Sequence, residues 1–367
     1  MKKIIIFVLA LLLTACGNVS KTPLTKVNEL KAEKEVLYEI NNNFNVGNEY
    51  IDIFDVDDQY AYIRVWDFDN KKYEFYRYDD KLELMYRYDY SYVKYPSQIP
   101  SVSYVIDNGQ LIMSICHFDR DRTYTEIFKI SNNTAHKFYE LDARIHNLQI
   151  KNDRLLVYTY NQIDDISNGE VVINGNSIFI NLTTGHEDAI LPSRTTYDSL
   201  TGETTKDESK FETFESDNGY VYVHDQYVYF HEYKSNQDIK LFKINNDLDE
   251  KGCYVGNDQC VITLQEDLLH FIIKERNTYK DYYLSTDDID FELNYFHGGY
   301  IDDKNYYISF SGKNQFMIFD YINKELSIYK NEDWHKSGYF NIMNGNIYCI
   351  NRSKDKIIIE KCTFNKV

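Results

Sequence analysis

From about Glu35 onward, apolar residues either alternate with polar ones or run together for four to eight positions, and short polar breaks separate the runs. The spacing of an amphipathic helix, with apolar residues three and four apart, is hardly seen. The clearest stretch is Tyr50 to Tyr90, read as "YIDIFDV", "YAYIRVWDF", "YEFYRY" and "LELMYRYDY", joined by "DDQ", "DNKK" and "DDK". Asp and Asn bond their own backbone and tolerate tight turns, so this stretch predicts four strands in a meander.

The pattern recurs. An apolar run, a turn rich in Asp, Asn or Gly and a second apolar run return as "YVIDNGQLIMSICHF" from Tyr104, "LQIKNDRLLVYTY" from Leu148 and "VYVHDQYVYFHEY" from Val221. They return again as "VITLQEDLLHFIIKE" from Val261, "GGYIDDKNYYISF" from Gly298 and "FNIMNGNIYCIN" from Phe340. With the first unit this makes about seven, roughly 36 to 50 residues apart, with one gap of about 70. Four-stranded units at that period are the pattern of a β-propeller. The expected fold is therefore all-β, a propeller of seven blades with four antiparallel strands each. The long gap holds "PSRTTYDSLTGETTKDESK", residues 192–210, which reads as a polar loop insertion between blades. The last unit is one strand short, and "EKEVLYEINNN", Glu33 to Asn43, is a strand without a unit. Val36 to Ile40 is expected to complete the final blade, because a sheet edge left open is a hazard.

The aromatic content supports stacked sheets: 35 Tyr and 21 Phe against 2 Trp. Tyr86, Tyr88, Tyr90 and Tyr92, with Tyr78 before them, are spaced mostly by two and are expected on one strand face, packing against a neighbouring sheet. An aromatic ligand platform is the other reading of the same spacing.

Net charge is −18, with acids interleaved among Lys and Arg, and no basic patch is visible, which argues against a nucleic-acid partner. The Asp-rich segments at Asp55, Asp67, Asp119 and Asp287 lack the central Gly and terminal bidentate acid of a calcium loop and read as turns. His186-Glu187 and His231-Glu232 lack the second His of a zinc protease helix, and no GxSxG elbow or phosphate-cradling Gly loop occurs. No catalytic residue, metal ligand or cofactor is indicated.

The N-terminus carries the most specific signal. Lys2 and Lys3 precede an apolar run, Ile4 to Leu13, that is too short to span a bilayer as a permanent helix. It ends in Leu13-Thr14-Ala15-Cys16, an aliphatic residue and two small ones before a cysteine, which resembles the lipobox of bacterial lipoproteins. The resemblance implies cleavage between Ala15 and Cys16, a diacylglyceryl group on the Cys16 thiol, and a membrane partner held through that anchor on the extracytoplasmic face. It divides the chain into a signal peptide, 1–15, a polar tether, 16–32, and the β domain, 33–367.

Five further cysteines follow. Cys349 and Cys362 flank a predicted hairpin, and Cys253 and Cys260 are close in sequence; either pair is a candidate disulfide outside the cytoplasm. The functional expectation is a monomeric, non-catalytic binding or scaffold domain for a protein or carbohydrate partner. The alternative is a polysaccharide hydrolase or lyase with carboxylates at a central channel mouth. A solute-binding lipoprotein would need alternating strands and helices.

Overall fold

The structure is a computed structural model. It describes residues 20–367 apart from 42–48, 96–97, 119–121, 152–153, 166–169, 199–203, 208–214, 217, 245–247, 249–253, 266, 288–295, 302–303, 311–314, 331–338, 344–345 and 354.

The described chain is all-β. It begins with β1 (Ser20–Pro23) and β2 (Val27–Asn41). A four-stranded sheet follows, built in order from β3 (Glu49–Val56), β4 (Ala61–Asp67), β5 (Lys72–Tyr78) and β6 (Leu82–Asp89). The next sheet holds β7 (Ser101–Asp107), β8 (Gln110–Phe118), β9 (Thr123–Ser131) and β10 (Thr134–Leu141). A five-stranded sheet holds β11 (Arg144–Lys151), β12 (Arg154–Asp165), β13 (Glu170–Asn181), β14 (Glu187–Asp198) and β15 (Thr204–Asp207).

The fourth sheet is β16 (Glu215–Ser216), β17 (Gly219–His224), β18 (Tyr227–Glu232) and β19 (Gln237–Lys243). The fifth is β20 (Tyr254–Gly256), β21 (Cys260–Gln265), β22 (Leu268–Glu275) and β23 (Thr278–Ser285), with β1 added in parallel beside β23. The last strands are β24 (Phe296–Ile301), β25 (Asn305–Phe310), β26 (Gln315–Asp320), β27 (Glu325–Tyr329), β28 (Tyr339–Met343), β29 (Asn346–Arg352) and β30 (Lys356–Lys366). Each meander has the strand arrangement of a propeller blade.

The count differs from the sequence expectation: the described residues form six sheets, not seven. The two final units merge into one eight-stranded sheet, ordered β24-β25-β26-β27-β2-β30-β29-β28. The cause is the length of β2. Sequence placed a strand only around Val36 to Ile40, beside the last unit, and β2 does lie next to β30. Its N-terminal end continues, however, and Val27–Glu29 pairs in parallel with β27, where Leu326 N–H donates to the Lys26 carbonyl at 3.0 Å.

Two other segments depart from expectation for a related reason. The tether expected over 16–32 already carries β1 and half of β2, because Leu24 and Leu30 are buried and hold them down. In the polar stretch 192–210, Arg194–Tyr197 of β14 pairs with Thr204–Asp207 of β15. Its Thr and Tyr residues favour extended backbone even without an apolar face.

The chain forms two compact units: one of Lys34–Ser209 with Met343–Cys362, the other of Met1–Glu33, Lys210–Ile342 and Thr363–Val367. In the first, Ile40, Ile51, Ile53, Ile63, Ile350 and Ile359 share a core. Phe75 and Leu111 belong to a second, and Ile112 and Leu155 to a third. In the other unit, Val221, Phe230 and Val261 form one core. Leu24, Ile262, Phe271, Phe319 and Leu326 form another, with the Phe271 and Phe319 rings stacked 3.9 Å apart.

The expected turn chemistry is present. Asn108 and Gly109, Asn132 and Asn133, and Asp225 and Gln226 all hold positive φ between paired strands, the conformation that two-residue hairpins require. Asp57 accepts the backbone N–H groups of Gln59 and Tyr60, Asp67 that of Asn70, and Asp320 that of Asn323. These Asp residues therefore cap turns. The segment at Asp119 and most of that at Asp287 lie outside the described residues. Tyr86, Tyr88 and Tyr90 pack on one core as expected, whereas Tyr78 lies on β5 against a different core and Tyr92 is exposed.

The burial of β2 makes its own test. Ile40→Ala is expected to destabilise the protein by about 2–5 kcal/mol, the range for truncating a core aliphatic. Val36→Ala, on the exposed side of the same strand, should stay within about 0.5 kcal/mol. Urea unfolding of the two variants compares them directly.

Candidate functional site

Cys349 on β29 stands opposite Glu360 on β30. Side chains alternate along a strand, so Asn351, two residues beyond Cys349, and Cys362, two beyond Glu360, share their face. The other face, with Tyr348, Ile350, Ile357 and Ile359, is committed to the core. Alternation thus sorts these two strands into an apolar side and a side bearing two thiols, an amide and a carboxylate.

Lys34 completes the group from β2. Its Nζ lies 3.3 Å from Cys349 Sγ and 3.5 Å from Glu360 Oε2. Asn351 Nδ2 donates to Glu360 Oε2 at 2.8 Å and stands 3.8 Å from Cys349 Sγ. The Cys362 thiol donates to the Glu360 carbonyl oxygen at 3.9 Å and lies diagonally across the strand pair from Cys349. Both cysteines are free thiols, Cys349 fully buried and Cys362 6 % exposed, whereas the Lys34 and Glu360 side chains keep 25 % and 18 % exposure.

The electrostatics divide the two thiols. The hydrogen bond from Cys362 brings Cys349 down to about 7, against the opposing effect of burial, and the Lys34 charge helps. Cys362 moves upward, first because it gives that hydrogen bond and then because it is buried. Burial disfavours the Lys34 ammonium, but the Cys349 sulfur and the Glu360 carboxylate outweigh it and raise Lys34. A thiolate beside an ammonium, with a neutral thiol in contact, is an arrangement for nucleophilic sulfur chemistry. Burial raises both Cys116 and Cys260, for Cys116 against the Arg144 charge and a hydrogen bond from Thr125.

Of the cysteines singled out in sequence, then, Cys349 and Cys362 are brought onto one face of a strand pair, each with a free thiol. Cys260 is a buried free thiol in β21, while Cys253, Ala15 and Cys16 lie outside the described residues. Sequence reading missed Lys34, which is 315 residues from Cys349 and carries no linear signal. Asn351 and Glu360 were legible in principle, since each is two residues from one of the cysteines in a predicted strand.

Four described histidines have carboxylate partners, the exposed His224 beside Asp225 among them. His270 Nδ1 lies 2.9 Å from Asp281 Oδ2, both groups fully buried, and among the described residues its Nε2 meets no hydrogen-bond partner. His231 Nδ1 sits 2.9 Å from Asp238 Oδ1 with its ring tilted 5.2 Å from that of Tyr220, and its buried Nε2 is likewise unmatched. His117 Nε2 is 3.1 Å from Glu126 Oε2 and stacks on Tyr124. The deeply buried acids Asp67 and Glu74 share Lys72, whose Nζ stands 3.5 Å and 3.3 Å from them. Each buried acid is therefore matched by a cation, an amide or an imidazole. Among the described residues no group of three or more His, Cys, Asp or Glu side chains is placed to hold a metal ion. No described helix is long and apolar enough to cross a membrane.

No protein-family model matches the chain, and no curated protein matches it. Among solved structures it is similar to virginiamycin B lyase from Staphylococcus aureus, with TM-score 0.39 and 12 % identity over 91 % of this chain and 99 % of that one. It is similar to the beta-propeller domain of Myceliophteria thermophila Cps50 (Swd1), with TM-score 0.39 and 8 % identity over 90 % of this chain and 100 % of that one. It is also similar to apo AztD from Citrobacter koseri, with TM-score 0.37 and 10 % identity over 84 % of this chain and 94 % of that one.

The buried His270–Asp281 pair yields a prediction. Asp281→Ala strands the imidazole N–H in an apolar interior and should destabilise by about 1–3 kcal/mol. Replacing both groups together, by His270→Phe with Asp281→Leu, should restore part of that loss, because no buried polar group is then left unmatched. Chemical denaturation of the single and double variants measures the difference.

Proposed function

We propose that this chain is a lipid-anchored extracytoplasmic binding domain, its sheets the blades of a β-propeller whose loops meet a protein or carbohydrate partner. The observation that carries the reading is the N-terminal order of Lys2 and Lys3, the apolar run Ile4 to Leu13, and Leu13-Thr14-Ala15-Cys16. The residue types suit the steps of export. Lysines stay with the cytoplasmic face, the apolar run enters the bilayer, and the small residues open the peptide bond before Cys16 to a protease. Acyl chains on Cys16 then bind the membrane at about 0.8 kcal/mol per buried methylene, so that two or more hold firmly.

The fold sharpens this proposal. With β1 beginning at Ser20 and Leu24 buried, the spacer is reduced to 17–19. Four residue steps from Cys16 reach at most about 14 Å, so the domain is carried close to the bilayer surface. The serial meanders, each closed by short turns, support the propeller reading. Tyr92 and Tyr95, 61 % and 62 % exposed beyond β6, present aromatic surface of the kind that contacts sugars and proteins.

Two measurements test the proposal. Expressed in a bacterial host, the full-length chain should partition into detergent and carry acyl mass on Cys16, whereas Cys16→Ser should stay in the aqueous phase. An aqueous wild-type protein with no acyl mass refutes the anchor. The chain should also be retained by cell-wall glycan or a defined protein partner without chemical change to it; release of small sugars would make it a hydrolase or lyase instead.

A further inference from the structure

We propose that Cys349 and Cys362 form a peroxide-reactive dithiol, in which Cys349 is oxidised first and Cys362 resolves it into a disulfide across β29 and β30. The inference does not depend on the lipid anchor or on a binding partner.

The geometry assigns the roles. Lys34 Nζ at 3.3 Å and the Cys362 thiol both face the Cys349 sulfur, so negative charge gathers on Cys349 and a proton remains on Cys362. Glu360 turns toward Lys34 and Asn351, which keeps the ammonium in place above the sulfur. The two cysteines lie on the same face of adjacent strands, Cys362 two residues beyond the Glu360 that pairs with Cys349. Among the described residues Cys116 and Cys260 lie buried with no second thiol against them, and burial is the largest effect on each.

Burial selects the oxidant. The Cys349 sulfur is fully covered, and what shields it from solvent includes the part-exposed Lys34–Glu360 pair. A bulky disulfide such as oxidised glutathione needs a sulfur it can approach in line and is excluded; a hydroperoxide the size of water needs only a side-chain shift. In the first step the Cys349 thiolate attacks one peroxide oxygen. An S–O bond forms as the O–O bond breaks, the peroxide is reduced, and the departing hydroxide takes up a proton as water. In the second step the Cys362 sulfur attacks the sulfenic sulfur of Cys349. An S–S bond forms, the S–O bond breaks, and hydroxide leaves with the Cys362 proton as a second water. Two thiols and one hydrogen peroxide thus become one disulfide and two waters. The bond would join a diagonal pair of cross-strand positions, a wide separation for a disulfide, so the two strands must shift as it forms.

The test uses the full-length chain in detergent, first reduced, then exposed to hydrogen peroxide, quenched with an alkylating agent under denaturing conditions and mapped by mass spectrometry. The expected product is a Cys349–Cys362 linked peptide, formed well before Cys116 or Cys260 oxidises. Cys362→Ser should stop at a Cys349 sulfenic acid, trapped by dimedone, and Cys349→Ser should leave Cys362 reduced over the same time. Lys34→Met should slow the reaction at least about tenfold, and Lys34→Arg should restore most of the rate, which separates a charge effect from a folding defect. The proposal is overturned if Cys349 and Cys362 stay reduced while Cys116 or Cys260 oxidises, or if Cys362→Ser gives no dimedone adduct.

Discussion

The structure depends on strands that must satisfy two cores at once. In β8, Leu111, Met113 and Ile115 pack on one side while Ile112, between them, packs on the other. In β21, Cys260 and Ile262 face one core and Val261 the opposite one. A sheet that covers both faces has no solvent side in its middle strands, so those strands read as continuous apolar runs such as "LIMSIC" and "CVITL". Only the outer strands relax to alternation, as β10 and β19 do with their exposed polar residues. Large planar side chains suit this stacking, and the tyrosines place hydroxyls where the packed face reaches water or a polar group: Tyr104 on Asp52, Tyr62 on Asp57 and Tyr282 on Glu275.

Stacked sheets leave their outer edges to be covered, and the N-terminal segment does much of the covering. β1 pairs along β23, and β2 lies between β27 and β30. Pro23 sits at the end of β1 on an outer edge, where its missing N–H removes no ladder bond from a central strand. Charge pairs tie β2 to the C-terminal strands: Lys34 of β2 serves Cys349 and Glu360. In turn Lys356 of β30 bonds Glu39 of β2, and Lys366 bonds Glu325. The thiol group is therefore a by-product of edge covering that acquires chemistry, because the strand laid over β30 carries a lysine at the position facing two sulfurs.

The interior polar groups follow one rule. Asp281, Glu74 and Asp67 are buried, and each has an imidazole, a guanidinium, an amide or an ammonium within bonding distance. Amide and ammonium bonds hold the Asp67 carboxyl below the usual carboxylate range against the upward pull of burial. Such pairs specify register between neighbouring strands more than they add stability, since desolvation offsets much of their attraction. The thiol pair is the exception in kind: its partners lower one sulfur's pKa and raise the other's, an imbalance that structural packing alone does not call for.

By itself the sequence determined the class of fold and the turn chemistry. Strand periodicity and Asn-Gly and Asp-led turns are local patterns, and local patterns survive without knowledge of what lies across a sheet. The sheet count, the role of 20–32 and the thiol environment were decided only by tertiary structure. Polar segments such as "KTPLTKVNEL" and "SRTTYD" show no sustained alternation to announce a strand; they become strands because a neighbouring strand offers them hydrogen bonds and, in the first, because Leu24 and Leu30 are buried. Cys349 and Cys362 could be matched from strand parity alone. Lys34 could not, because backbone hydrogen bonding across a sheet joins residues hundreds of positions apart and leaves no mark on the spacing along the chain.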